Sequence, residues 1–322
     1  MIISARVEPD APLASVIIPN WNGIKLLRPC LDSLRKQTLT HFETIVVDNG
    51  SSDGSVQVLS SEYPEVRTLA LSINSGYTGG CNAGLYAARG RYLVLLNNDT
   101  ETDPHWLENL VNGLRRHPDA GIATSRIMLY DRRQMLNSAG DQYGRDGLPN
   151  SRGVWKTYDA NFAGESFVFG GSGGALALRR EMLAQVGLFE EAFFMWCEDV
   201  DLSWRAQLSG WKCVYEPEAV IYHHLSATGG GKLASYYVGR NTIWVIARNY
   251  PPSLYKRYWS RIWAAQWRIM WSALRSWRGE AARARLHGQL AGLLSLGSWR
   301  QFRRSNMQGR RVSDEYLESI LS

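Results

Sequence analysis

The side chains of this 322-residue chain that could do chemistry are acids placed directly after apolar runs. Residues 93–99 read Leu-Val-Leu-Leu-Asn-Asn-Asp. A short apolar run ending in polar residues reads as a buried strand, and open α/β sheets bind ligands at the carboxyl ends of such strands. Asp99, with Asn97 and Asn98 before it, offers hard oxygen ligands for Mg²⁺ or Mn²⁺ on a phosphate. The competing use of Asp99 or Thr100 is to cap a helix beginning near Pro104. Residues 43–48, Glu-Thr-Ile-Val-Val-Asp, repeat the pattern. Asp48 could hydrogen-bond a pyrimidine edge or a ribose, or simply form a turn with Asn49 and Gly50.

Further along, Glu198, Asp199 and Asp201 open a helix that runs to about Gly210. Three acids there suit the positive end of the helix dipole. Spacing separates them further. Glu198 and Asp201 share a face that Arg205 continues, while Asp199 points about 100° away. A structural acid–Arg pair and a free carboxylate can therefore coexist on one turn. Crowded like charges raise a carboxylate's pKa, which suits a general base. The last candidates are His223 and His224. Strand alternation turns only one of them inward, and a lone histidine is more often structural than a ligand.

The elements that must hold these groups follow an α/β alternation. Strands are expected at 15–20, 43–48, 66–71 and 91–96, with helices between them and at 104–116. That order argues for right-handed βαβ units and a mostly parallel sheet. The glycine-rich stretch 74–84 opens a helix, where Gly76, Gly79, Gly80 and Gly84 let the backbone approach an anion. It is neither a dinucleotide fingerprint nor a P-loop, and tight helix packing would explain the glycines equally. From Gly121 to Phe169 the pattern loosens, and 140–153 reads as an irregular loop. Short strands return at 175–179, 212–215 and 219–222.

Composition narrows the class. Four scattered cysteines without paired spacing read as reduced thiols. Neither an N-terminal signal nor an apolar run long enough to span a membrane is expected. Net charge is +6, yet residues 251–311 carry thirteen Lys/Arg against Glu280 alone, which leaves the remainder net acidic. Within that basic segment Tyr255, Trp259, Trp263, Trp267 and Trp271 recur every four residues, among Arg257, Arg261, Arg268 and Arg275. Such a helix suits an anionic membrane surface. Packing on the catalytic domain or in a homo-oligomer is the alternative. Two domains are expected, 1–250 and 251–322.

Five motifs, taken together in order, resemble the family 2 glycosyltransferases of GT-A (Rossmann-like) fold, and in particular the rhamnosyltransferase-like enzymes of polysaccharide biosynthesis. They are Val16-Ile-Ile-Pro-Asn-Trp-Asn, Val46-Val-Asp-Asn-Gly-Ser-Ser-Asp-Gly, Asn74-x-Gly-Tyr-x-Gly-Gly-x-Asn-x-Gly, Leu95-Leu-Asn-Asn-Asp and Glu198-Asp-x-Asp-Leu-x-x-Arg. The resemblance covers residues 13 to 250.

It implies an inverting hexosyltransferase that moves a sugar, rhamnose from dTDP-rhamnose being the branch expectation, to a lipid-linked or polysaccharide acceptor. Asp48 would bind the nucleotide base in a pocket lined by Pro19, Asn20, Trp21 and Asn22. Gly80, Asn82 and Asn98 would sit by the sugar diphosphate, and residues 171–174 by the donor sugar and acceptor. Asp99 and His223 would hold the divalent metal, Mg²⁺ or Mn²⁺. Asp199 would be the catalytic base and Glu198 its support. Asn97 and Asn98 depart from the acid-rich metal motif of many members, and amides are weaker ligands than carboxylates. The resemblance also implies a cytoplasmic enzyme, peripheral at the inner face of the membrane. A sugar nucleotidyltransferase would want a basic glycine-rich loop near the N-terminus, and none is present. A nucleic-acid binder would leave the acidic strand ends unused, so no nucleic-acid partner is expected.

Overall fold

A computed structural model of the chain describes residues 3–224 and 230–322. Its first half is a regular alternation: β1 (Ala14–Asn20), α1 (Ile24–Leu34), β2 (Phe42–Asp48), α2 (Ser55–Glu62), β3 (Arg67–Ala70), α3 (Gly76–Ala87) and β4 (Tyr92–Leu96). These four strands are parallel, in the order β4-β1-β2-β3. Both faces of the central strands are covered, which is why β1, β4 and the second half of β2 read as apolar runs rather than alternating. Val16, Ile18, Val46, Val94 and Leu96 meet Leu27 and Leu31 on one side. Ile17, Ile45, Val47, Leu93 and Leu95 meet Cys81 and Leu85 on the other.

The second half adds β5 (Thr100–Thr102), α4 (Trp106–Arg116), β6 (Ala120–Leu129), β7 (Leu136–Ser138), β8 (Asp141–Tyr143), β9 (Pro149–Ser151), β10 (Ser166–Val168), β11 (Ala175–Arg179), α5 (Arg180–Val186), α6 (Glu198–Leu208) and β12 (Lys212–His223). The full sheet runs β10-β12-β6-β11-β4-β1-β2-β3, with β5 on β12 and β7 on β6. β11 lies antiparallel between β4 and β6. The result is the expected GT-A arrangement, a mostly parallel sheet flanked by helices.

Four readings of the sequence are corrected here. The stretch after Gly121 contains β6, a ten-residue, largely buried strand. Its Thr124, Ser125 and Arg126 hide the apolar pattern, yet the hydroxyls have buried partners. Trp106 Nε1 donates to Ser125 Oγ at 2.9 Å, and the Ser172 N–H donates to Thr124 Oγ1 at 3.3 Å. The expected irregular loop at 140–153 holds the β8–β9 hairpin. The two closing strands are one, β12, with a register shift between Glu216 and Val220. Thr100 belongs to β5 rather than to a helix cap.

The C-terminal helical extension comprises α7 (Gly231–Asn249), α8 (Pro252–Arg275), α9 (Glu280–Leu294), α10 (Arg300–Gln308) and α11 (Asp314–Ile320); the expected boundary at residue 250 falls between its first two helices. α7 and α9 approach closely because Gly288 has no side chain: a Cβ there would lie 2.1 Å from the Tyr236 carbonyl oxygen. An aromatic core of Tyr143, Phe169, Trp204, Trp244, Tyr250 and Trp299 joins the extension to α6 and to the β8–β9 hairpin.

The tightest polar link across this junction is Asp201. It accepts from Arg205 Nε at 2.9 Å, from Arg248 Nε at 2.8 Å and from Asn249 Nδ2 at 2.8 Å. The Asp201 side chain is fully buried. Burial pushes its carboxyl up, but the Arg248 and Arg205 charges outweigh burial and hold it below the usual carboxylate range. Removing one partner of a buried ion pair leaves the others uncompensated. Asp201→Asn is therefore expected to cost ~3–5 kcal/mol of stability, read as a lower urea midpoint at unchanged slope.

Candidate active site

The register of β1 and β2 sets Asn20 beside Asp48 at the carboxyl edge of the sheet. Asn20 Nδ2 donates to Asp48 Oδ1 at 3.3 Å and to Ser55 Oγ at 3.0 Å. The Ser51 N–H donates to Asp48 Oδ2 at 3.0 Å. From the other side, Asn98 Nδ2 donates to Asn20 Oδ1 at 2.7 Å. One hydrogen-bonded row, Asp48–Asn20–Asn98, thus crosses β2, β1 and the end of β4. The adjoining loop carries Trp21, half exposed, and Asn22, in the left-handed region at φ 50°. Asn22 braces the loop opposite: its N–H donates to Ser51 Oγ at 2.9 Å and its Oδ1 accepts from the Ser52 N–H at 2.8 Å. Pro19 and Gly80 are neighbours, a Cβ on Gly80 falling 3.4 Å from the Pro19 ring. Asn82 faces another way. Its amide donates to the Phe189 carbonyl at 2.9 Å and accepts from the Phe189 N–H at 3.0 Å, tying α3 to the segment before α6.

Asp99 follows in the chain and is buried. The closing strand returns to it, because Thr100 pairs with His223. His223 Nε2 lies 3.1 Å from Asp99 Oδ1, and His223 Nδ1 lies 2.9 Å from Asn137 Oδ1. These two contacts hold the ring between a carboxylate and an amide, with Nε2 the nitrogen that faces Asp99. His224 turns away, its ring stacked on Tyr130 at 3.6 Å, as strand alternation requires. Among the described residues no group of three or more His, Cys, Asp and Glu side chains could enclose a metal. One carboxylate and one imidazole fit a divalent ion that takes its other ligands from a diphosphate and water.

Asp199 stands across the entry to β11 from Asp99. Asp199 Oδ2 accepts from the Gly173 N–H at 2.9 Å, and the neighbouring Gly174 carbonyl accepts from the Asn97 N–H at 2.9 Å. Tyr77 Oη donates to the Gly173 carbonyl at 2.6 Å. Two consecutive glycines therefore connect the end of β4 with the first turn of α6. The expected acids and His223 gather at this one edge.

The segment leading into α6 is strained. Phe194, Trp196 and Cys197 all adopt positive φ, 65°, 62° and 65°, at a cost of about 1–3 kcal/mol each. Asn241 on α7 holds them there. Its amide donates to the carbonyls of Phe193, Met195 and Trp196 at 3.0, 2.9 and 2.7 Å. Asn241, Tyr77, Asn137 and Asp141 are the contributors that sequence reasoning missed. Tyr77 lay in plain view inside a motif, whereas Asn241, between Arg240 and Thr242, carried no distinguishing signal.

Asp141, on β8, is buried near the buried Glu198 and the half-buried Asp199. Its side chain accepts from Ser151 Oγ at 3.2 Å. Burial raises all three pKa values. The Asp199 charge raises Asp141 and Glu198 further. Only Asp199 accepts two backbone N–H groups, from Gly173 and Val200, and these oppose its rise. Glu198 Oε2 is buried without a partner. The cluster therefore carries its negative charge on Asp199, while Glu198 and Asp141 favour the neutral acid.

The glycosyl transferase family 2 model matches residues 15–187. The chain is 31% identical over 227 residues to the N-acetylglucosaminyl-diphospho-decaprenol L-rhamnosyltransferase of Mycobacterium tuberculosis, covering 64% of this chain and 74% of that one. It is 24% identical to the glycosyltransferase AglE of Haloferax volcanii, over 74% of this chain and 76% of that one. Among solved structures it is similar to GalNAc-T7 with UDP, GalNAc and Mn²⁺ (TM-score 0.67, 16% identity, 97% of this chain and 57% of that one). It is also similar to a mannosyltransferase of Pyrobaculum calidifontis with GDP-Man and Mn²⁺ (TM-score 0.55, 16% identity, 94% and 88%). At such identities the structural likeness concerns the fold.

The three-carboxyl cluster has a consequence for stability. A carboxyl whose pKa is raised by folding contributes stability that is present below its unfolded value, about 3.9 for Asp, and is lost as pH rises through the folded value. Asp141→Asn removes such a group. The melting temperature of the variant relative to the native chain is expected to climb between pH 5 and pH 8. Parallel melting curves across that range would count against the protonated assignment.

Proposed function

The chain belongs to glycosyl transferase family 2 and is a nucleotide-sugar-dependent glycosyltransferase; on that premise we propose that it is an inverting transferase using Asp199 as its base. The acceptor oxygen attacks the anomeric carbon as its proton passes to the Asp199 carboxylate. The bond from that carbon to the diphosphate breaks on the opposite side, and the nucleoside diphosphate departs. The observation that carries this reading is the Gly173–Gly174 bridge, which joins the backbone at Asn97, two residues before Asp99, to the Asp199 carboxylate.

In this scheme Asp48 takes the nucleotide base, with Pro19, Asn20, Trp21 and Asn22 around it, and Gly80 and Asn98 lie along the diphosphate. Asp99 and His223 would hold a divalent ion, whose chemistry is to neutralise charge growing on the leaving diphosphate. Glu198, neutral and buried, keeps a second negative charge from Asp199. The M. tuberculosis relative acts as a rhamnosyltransferase on a diphospho-decaprenol acceptor. That favours a deoxyhexose donor such as dTDP-rhamnose and a lipid-linked acceptor in cell-surface polysaccharide assembly. General-base catalysis contributes ~10²–10⁴-fold, so Asp199→Asn is expected to lose turnover by that order while donor affinity holds. Asp99→Ala should do the reverse first, abolishing the metal dependence of donor binding in calorimetry. Near-native turnover of the Asp199 variant would remove the base assignment.

A lipid-linked acceptor calls for a way to sit at the cytoplasmic face of a membrane. Among the described residues no helix is long and apolar enough to cross one. α8 instead exposes Trp259, Trp267 and Trp271, each more than half accessible, with Arg257, Arg261, Arg268 and Arg275 exposed beside them. Indole rings at the interface and guanidinium groups on anionic headgroups are the expected use of such a surface. Replacing those three tryptophans by Ala should abolish co-flotation with vesicles of equal parts phosphatidylcholine and phosphatidylglycerol. Undiminished flotation, with a changed sedimentation mass, would assign the stripe to a second copy of the chain.

A further inference from the structure

Beside the tryptophan stripe the extension holds a half-open pocket of about 300 Å³. Ile243, Ile246 and Ala247 of α7, Ile262 of α8 and Leu296 form its apolar wall. Its volume is at the lower end of small-molecule sites. Two polar groups also line it. Arg303 Nε is buried without a hydrogen-bond partner among the described residues, and so is Gln266 Nε2. Burial lowers the pKa of Arg303, a cost that no carboxylate offsets there.

An apolar pocket with a half-buried guanidinium at its wall, its Nε–H unpaired, matches a molecule that is hydrocarbon at one end and anionic at the other. The location fits the same class. Trp263 lines the cavity and belongs to the exposed stripe, and its Nε1 donates to Tyr255 Oη at 2.9 Å, another lining residue. The chamber therefore adjoins the surface assigned above to the membrane. The surrounding segment, 251–311, has a net charge of +12, which draws anions.

We propose that this cavity is a lipid site, taking one acyl chain of an anionic membrane phospholipid with the lipid phosphate on Arg303. The proposal deepens the membrane-surface reading of α8 and rests on it for the choice of a bilayer lipid. Binding would fill the void and give the guanidinium its missing partner. It would also anchor the extension in one orientation, where the tryptophans alone only adsorb it.

The test is calorimetric titration of the full chain with short-chain phosphatidylglycerol below its micelle concentration. Saturation at one lipid per chain is expected, with weaker binding of short-chain phosphatidylcholine and none of inorganic phosphate alone. Ala247→Phe, which fills the chamber, should weaken binding by at least about tenfold. Arg303→Gln, which leaves the chamber's shape intact, should abolish the preference for phosphatidylglycerol and serves as the test if the first variant misfolds. The triple tryptophan variant should still bind the soluble lipid while losing flotation, so the two readings fail separately. Non-saturating uptake, binding of inorganic phosphate as tight as the lipid, or native affinity in Ala247→Phe and Arg303→Gln would overturn the lipid site.

Discussion

Three carboxyl groups on the first turn of one helix cannot all be charged in a buried place, and the arrangement of α6 depends on how that conflict is resolved. Asp201 is given two guanidinium groups and an amide. Its ionisation is thereby secured, and it ties α6 to α7. Glu198 is given nothing for one of its oxygens. Asp199 is given two backbone N–H groups. The same residue type is thus a fully paired structural anion in one case and a carboxylate held only by backbone N–H groups in the other, two positions apart. The difference lies in the partners, which come from α7 on one side and from the glycine segment on the other.

The rest of the site is a matter of bringing distant strand ends to one rim. The parallel strands β1, β2 and β4 deliver Asn20, Asp48 and Asn98 side by side, and the long β12 returns His223 to Asp99. Strain in residues 194–197 directs α6 toward the rim, and Asn241 stabilises that strain from outside the sheet. The helical extension therefore helps to set the position of α6. Its α7 supplies both the Arg248 that neutralises Asp201 and the amide that holds the turn into α6.

The nucleotide half was legible because its information is local. An apolar run, a polar stop and a glycine-rich turn announce β1, β2 and β4 and the groups at their ends. Helix geometry likewise separated Asp199 from an acid–Arg pair, and Asp201 with Arg205 is that pair. What escaped depends on partners far along the chain. β6 is buried with hydroxyls that bond to Trp106 and to Ser172, so its polarity misled. Asp141 looked like loop material, since nothing near it in sequence reveals the pairing of β8 with β9 or the nearness of Asp199. Arg248 and Asn241 carry no signal of their targets until α7 is seen lying beside α6.

The one reversed strand in the middle of the sheet has an effect of its own. Because β11 runs against β4 and β6, its start lies at the same rim where β4 ends. The chain between β6 and β11 leaves and re-enters the sheet at that rim, and β7 to β10 are built from that excursion. Its length does not alter how β11 seats between its neighbours. Sequence there can change without disturbing the strand ends that carry Asn20, Asp48 and Asn98.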